Sequence, residues 1–242
     1  MFEVKDTGAN SAEKNMQIDE IFLEDLREDD LPILHFYDWE DRSATFGHFI
    51  DIKKFIDEKQ VIKENVLFAK RPTGGGIIFH IWDFAFSFFM SKNHFKYSKN
   101  VLENYRFVND FVKKAIEKFL KNSKNSYILT PDDFEAKEKS CNFFCMAKPT
   151  KYDVIINGRK VAGAAQRNKK QGYLHQGSIS LFAPDLKLLD KIFLKDVKTH
   201  IIDAMTKNSF YLLGEKSSKK DVFSAREDLK KLLKAALKEA LS

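Results

Sequence analysis

The sequence predicts an α+β fold: one mixed, largely antiparallel sheet with helices packed on it. Three observations carry that reading. Strand-like runs fall in two groups, roughly 31–90 and 127–182, with helix-period segments between and after them. Asn157-Gly158 sits between two apolar runs, and this dipeptide is a strong hairpin signal because a type I′ turn needs φ > 0 at both central positions. The 242 residues, 43% of them hydrophobic, suffice for a sizeable core and contain no repeat, low-complexity segment or linker.

Taken in order, residues 1–14 read as a flexible leader, polar and without the basic and apolar regions of a signal peptide. Residues 15–242 read as a single domain. Residues 15–26 suit a helix with Met16, Ile18, Ile21, Phe22 and Leu26 on an approximate apolar face. Residues 31–39 suit a strand that starts at Pro32, and 43–49 a second one. Ile52, Phe55 and Ile56 suggest a short helix over 51–57. Strands at 66–70 and 84–89 bracket the stretch Arg71-Pro-Thr-Gly-Gly-Gly-Ile-Ile-Phe-His80.

The apolar steps Val101, Tyr105, Val108, Val112, Ala115 and Phe119 give the clearest internal helix, 101–120. A strand is expected at 127–130. Residues 131–149 form the longest irregular segment, and a loop of that length is more often functional than idle. The hairpin pairs 152–156 with 160–165, where Gly163, Ala164 and Ala165 leave room for a ligand or another backbone. A further strand is expected at 173–182 and helices at 184–193 and 196–207. Ser224 to Glu227 reads as a capping box opening a last helix with Leu229, Leu232, Leu233, Ala236, Leu237 and Ala240 on one side.

Charge and cysteine usage narrow the function classes. The formal net charge is +6, but only seven of the 41 basic residues are arginine. Scattered lysines suit solvated helix faces better than a nucleic-acid patch. The longest apolar run, 77–90, is interrupted by His80 and Asp83 and is too short to span a bilayer. A soluble cytoplasmic protein is expected, binding neither nucleic acid nor membrane. Cys141 and Cys145 suggest no disulfide framework, and a lone C-x-x-x-C pair is a weak zinc signal.

Two explanations fit Gly74-Gly75-Gly76. One is a tight turn that needs φ > 0. The other is a cradle where backbone N–H groups face an anion. Arg71, Thr73 and His80 add a cation, a hydroxyl and a titratable ring to the same loop.

These residues resemble a known superfamily. Arg71 to His80 is similar to the R-x-T/S-G-G-G-x-x-x-H signature of lipoate–protein ligases, octanoyltransferases and biotin ligases. Asn157-Gly-Arg-Lys-Val-Ala-Gly-Ala-Ala-Gln166 resembles the second signature, a turn followed by a lysine, and Leu174 to Ile179 the third. Asn15 to Glu20 and Phe36 to Trp39 also look like family landmarks. The similarity runs from about residue 15 to about residue 195, and the order of the motifs makes it specific. It implies a biotin/lipoate ligase catalytic-domain-like fold. The implied reaction joins an acyl group to one lysine of a carrier, either a lipoyl domain of the 2-oxoacid dehydrogenases or the glycine-cleavage carrier protein.

Residue by residue, the resemblance makes Lys160 the essential lysine. It places Arg71, Thr73, Gly74, Gly75, Gly76, His80, Gly163, Ala164 and His175 around the acyl or acyl-adenylate group. A fixed ammonium there would stabilise developing charge. Asp153 matches an acidic residue that would help hold Mg2+ if ATP is used. Two departures stand out: Tyr152 replaces the Asn of many ligases, and His175-Gln176 replaces the usual pair of the third motif.

The leading expectation is a lipoate–protein ligase using ATP and Mg2+, with lipoate or octanoate as substrate. The alternative is an ATP-independent octanoyltransferase that takes its acyl group from acyl carrier protein through a Cys145 thioester, with Lys160 favouring the thiolate. Only about 47 residues follow position 195, so no separate accessory domain is expected. A biotin ligase or a non-catalytic lipoate-binding or acyl-carrier-binding protein ranks below both. Ile78, Phe86 and Phe88 are the candidates for the acyl pocket.

Overall fold

The computed structural model describes residues 1–122, 124–133, 138–215 and 218–242. Its main sheet has seven strands in the order β1 (Glu3–Asn10), β2 (Ile33–Trp39), β6 (Asp83–Ser91), β10 (Gly172–Ser180), β9 (Arg159–Lys169), β8 (Val154–Ile156) and β7 (Tyr127–Leu129). Within it β1 and β2 run parallel and the other pairs antiparallel. A second sheet orders β4 (Val66–Lys70), β3 (Arg42–Phe46) and β5 (Ile77–Phe79), with β3 parallel to β4 and antiparallel to β5. This is the expected mixed, largely antiparallel α+β architecture.

Strand alternation sorts the core. Phe84, Phe86, Phe88 and Met90 of β6 point to one side of the main sheet. There they meet Val108, Phe111, Val112 and Ile116 of α3 (Val101–Leu120) and Leu229, Leu233 and Leu237 of α6 (Lys219–Ala240). Each such side chain contributes about 1.5–3 kcal/mol on full burial. The other side carries α1 (Ala12–Asp25). Its Leu23 packs on Phe89 and Leu174, while Met16 joins Tyr37 and Ala85 to Ala69 of the small sheet. A third cluster ties the small sheet to α2 (Glu58–Lys63), α4 (Leu186–Ile192) and α5 (Lys195–Asn208) through Val61, Phe79, Phe144, Leu189, Phe193 and Ile201.

Several expectations change. The first residues are not a leader: β1 forms the parallel edge of the main sheet, held by Thr7 Oγ1 to His35 Nε2 at 2.9 Å and by a 3.0 Å Lys230–Asp6 ion pair. Its side chains are largely exposed, so no alternation marked it. Helix α1 begins earlier than expected, because Ser11 caps it by accepting from the Lys14 N–H. The apolar run after the glycines is two strands, β5 and β6, in different sheets. Residues 51–57 hold only a 3₁₀ turn at Ile52–Lys54, and α2 follows under an Asp57 cap. Helix α6 starts at a capping box of Ser218 and Asp221, which leaves Ser224 within the helix. Of the irregular segment 131–149, residues 134–137 lie outside the described residues. No helix among the described residues is long and apolar enough to cross a membrane.

Candidate active site

The glycine loop is first of all a socket for Arg71. The Arg71 Nε donates to Gly74 O at 3.0 Å and to Thr73 Oγ1 at 3.1 Å; Nη2 donates to Gly74 O at 2.7 Å and Nη1 to Thr45 Oγ1 at 3.3 Å. Gly75 has φ 82°, and a Cβ there would come within 2.7 Å of Nη2. Both facts demand glycine. The buried guanidinium lies 3.8 Å from Cys145 Sγ. The Cys145 N–H donates to Ile77 O at 3.0 Å, which ties the cysteine loop to the strand just after the glycines.

Arg71 stands between two imidazole–carboxylate pairs. Thr73 Oγ1 donates to Gln176 Oε1 at 2.6 Å, and Gln176 Nε2 donates to Asp19 Oδ2 at 2.6 Å. Asp19, fully buried, also takes Ser87 Oγ at 2.5 Å and pairs with His35 Nδ1 at 2.9 Å. On the far side, Thr45 Oγ1 and His80 Nε2 are 2.9 Å apart. His80 Nδ1 lies 2.8 Å from Asp83 Oδ2, which accepts from Ser178 Oγ at 2.5 Å. The His80 ring stacks on Trp39 at 4.2 Å.

The hairpin supplies the second cation. Asn157 and Gly158 take φ of 50° and 80°, as the turn requires. Lys160, 3% exposed, donates to Asp153 Oδ2 and to the Cys145 carbonyl, each at 2.7 Å. Two of its three N–H groups are thus committed. Gly163 makes room for this pair, since a Cβ there would lie 2.6 Å from both Lys160 Nζ and Asp153 Oδ1.

Asp153 does not fit a magnesium ligand. Besides Lys160 its carboxylate accepts from Tyr105 Oη at 2.8 Å, from the Thr150 N–H at 2.6 Å and from Thr150 Oγ1 at 2.8 Å. Among the described residues no group of three or more His, Cys, Asp or Glu side chains could hold a metal ion. The carboxylate orients an ammonium instead. Tyr105 reaches in from α3 and also accepts from the Ala164 N–H at 2.8 Å. Burial, with the Asp153 charge, pushes its phenol well above the usual range.

A cleft between the two sheets gathers these groups. Arg71, His80, Cys145, Lys160, Gly163 and Ala164 line it, joined by Met16, Tyr37, Thr45 and Gln176. Thr73 and the glycine triplet stand behind Arg71 rather than on the lining. Of the pocket candidates, Ile78 lines the cleft, whereas Phe86 and Phe88 lie in the core under α3. His175 is a correction of the same kind. Alternation along β10 turns Gln176 and Ser178 to the cleft, while His175 is fully buried beside Phe86 and Tyr105. Burial lowers its pKa to about 3, so the ring is neutral. Sequence reasoning missed Asp19, Gln176 and Tyr105. Asp19 and Gln176 sit inside the quoted motifs, and Tyr105 on the apolar helix face.

Residues 11–209 match the family model for the lipoyl protein ligase A/B catalytic domain. The chain belongs to this family. It is 33% identical over 189 residues to the octanoyltransferase LipM of Bacillus subtilis, a match that covers 76% of this chain and 67% of that one. The octanoyltransferase LipM of Halalkalibacterium halodurans is 28% identical over 98% of this chain and 86% of its own length. Among solved structures, the bipartite lipoate protein ligase of Thermoplasma acidophilum, studied with its E2 lipoyl domain, superposes with a TM-score of 0.70 at 20% identity, over all of this chain and 84% of that one. At that identity the likeness concerns the fold.

Proposed function

We propose that this enzyme is an octanoyltransferase that carries its acyl group on Cys145, which reverses the order of the two expectations. One observation carries the reading: a single cysteine lies beside a buried guanidinium at 3.8 Å, with its own carbonyl held by the Lys160 ammonium at 2.7 Å. The naming of the 28–33% identical relatives supports it. So does Asp153, whose oxygens are taken by Lys160, Tyr105 and Thr150 and offer nothing to the Mg2+ that the ATP-dependent reading placed there.

The chemistry follows from the groups present. The Arg71 guanidinium sits 3.8 Å from Cys145 Sγ, the attacking atom. The thiolate attacks the carbonyl carbon of an octanoyl thioester on acyl carrier protein. A new S–C bond forms, the donor's C–S bond breaks, and the donor leaves as a thiolate that takes up a proton. The third N–H of Lys160 is free to donate to the developing oxyanion, preorganised by Asp153. A lysine amine of a lipoyl domain then attacks the acyl-cysteine, the N–C bond forms, the S–C bond breaks, and the amine proton is released as the Cys145 thiolate returns. The acceptor is a lipoyl domain of a 2-oxoacid dehydrogenase or the glycine-cleavage carrier protein.

The test is intact mass spectrometry of protein incubated with octanoyl-acyl carrier protein and apo lipoyl domain, without ATP. The expected results are an octanoyl adduct on Cys145, its transfer to the lipoyl domain, and neither in Cys145→Ala. Product formed only with free acid and ATP-Mg, and undiminished in Cys145→Ala, would overturn the reading in favour of the ligase.

A further inference from the structure

Next to the cleft lies a second cavity. Its walls are mostly apolar, with Ile77, Phe79, Trp82, Phe144, Phe182 and Met205 prominent. Ile78, Met146 and Ser178 line both cavities. The two follow one another along β10: Gln176 and Ser178 floor the first, Ser178 and Ser180 the second. These three side chains share one face of the strand. The floor at the junction is a serine, so the bulk that separates the cavities comes from Ile78 and Met146.

Met146 directly follows Cys145. Its carbonyl accepts from Ser209 Oγ at 3.1 Å, which pins the main chain, and its Sδ lies 3.8 Å from Ser180 Oγ. A methionine side chain is unbranched, with three rotatable bonds, and adapts readily to what it packs against. The partition is therefore movable on a fixed backbone.

We propose that the second cavity is an extension of the acyl site and that Met146 sets the chain length accepted at Cys145. The inference rests on the acyl-transfer reading above. An acyl group on Cys145 occupies the first cavity, which the cysteine lines; the second is reached past Ile78 and Met146. A saturated chain longer than eight carbons enters it when the thioether moves aside. The aromatic and aliphatic walls suit an alkyl chain better than the amide-bearing arm of a thioester donor. Each further methylene taken from water tightens binding about fourfold.

The experiment has a readout that needs no turnover. Calorimetry measures octanoate, decanoate and dodecanoate binding to wild type, Met146→Ala and the volume-conserving Met146→Leu. The dodecanoate-to-octanoate affinity ratio should rise at least about fifteenfold in Met146→Ala, two or more methylenes' worth, and stay within about threefold in Met146→Leu. Filling the second cavity with Met205→Trp, or with Phe182→Trp should the first variant melt early, should cancel the gain. An unchanged ratio in all three proteins, or a gain that survives the filled cavity, overturns the proposal. So does an equal change at every chain length, the result expected if the donor's arm occupied the cavity. Intact mass with octanoyl and dodecanoyl thioesters separates the two readings. No acyl-enzyme anywhere, but a shifted binding ratio, removes the transferase and leaves the cavity assignment standing. A wild-type acyl-enzyme with an unshifted ratio removes the cavity assignment alone.

Discussion

Lys160 and Asp153 form an ion pair at 2.7 Å that is closed to solvent on both sides. Removing one partner strands the other in a medium that does not solvate it, which costs about 3–5 kcal/mol. Lys160→Met should therefore lower the free energy of unfolding by about that amount. Lys160→Met with Asp153→Asn should recover most of the loss while remaining inactive. Urea unfolding checks the first statement and octanoyl transfer the second. A double variant no more stable than Lys160→Met would contradict the account.

Gly163→Ala probes the same pair from its other side. The added methyl would come within 2.6 Å of Lys160 Nζ and Asp153 Oδ1, so the ammonium must move. A displacement of about 1 Å costs about 10²-fold in rate, whereas overpacking costs about 1–3 kcal/mol in stability. Transfer should collapse in a protein that still folds. Near-normal turnover would mean that the position of Lys160 does not matter.

The Thr73–Gln176–Asp19 relay is expected to hold Arg71 in place. Gln176→Leu removes one of the hydrogen bonds to Asp19 Oδ2 and leaves the Thr73 hydroxyl proton without its acceptor, a loss of about 1–3 kcal/mol. Alkylation of Cys145 by iodoacetamide should slow in Gln176→Leu, because Arg71 loosens beside the sulfur. Equal alkylation rates in both proteins would make the relay purely structural.

His175 predicts an acid limb in stability. The folded ring stays neutral down to about pH 3, against 6.5 in the unfolded chain. Between those values the unfolded state binds more protons, so stability is present above pH 6.5 and is lost as pH falls towards 3. At about 1.4 kcal/mol per pH unit the loss approaches about 5 kcal/mol at the lower end. His175→Phe, which keeps an aromatic ring beside Phe86, should flatten melting temperature against pH between 6.5 and 4. An identical slope in wild type and variant would rule His175 out as its source.

Much of this was legible in the residues. The 3.6-residue period of α3 and the Asn157-Gly158 turn follow local rules, and both were placed. So were Arg71, His80, Lys160 and Gly163, because motifs fix them. Strand β1 was not, since an edge strand with exposed side chains carries no alternation. Nor was the direction of a side chain within a fully buried strand: Phe86, Phe88 and His175 lie in strands buried on both faces, so alternation separates two faces without saying which one looks into the cleft. Asp19 was hidden among the acidic residues of α1, where only tertiary burial distinguishes it from its solvated neighbours.

The bonds that hold the site join residues far apart along the chain. Asp19 and Gln176 are separated by 157 positions, Thr73 and Gln176 by 103, and Arg71 and Cys145 by 74. Closing such loops precedes any gain from the contacts they allow. The relay that braces the guanidinium is therefore complete only when β10, which carries Gln176, is docked between β6 and β9. On the proposed reading, the thiol and the groups that brace its neighbouring guanidinium become a working unit only through contacts that are distant in sequence.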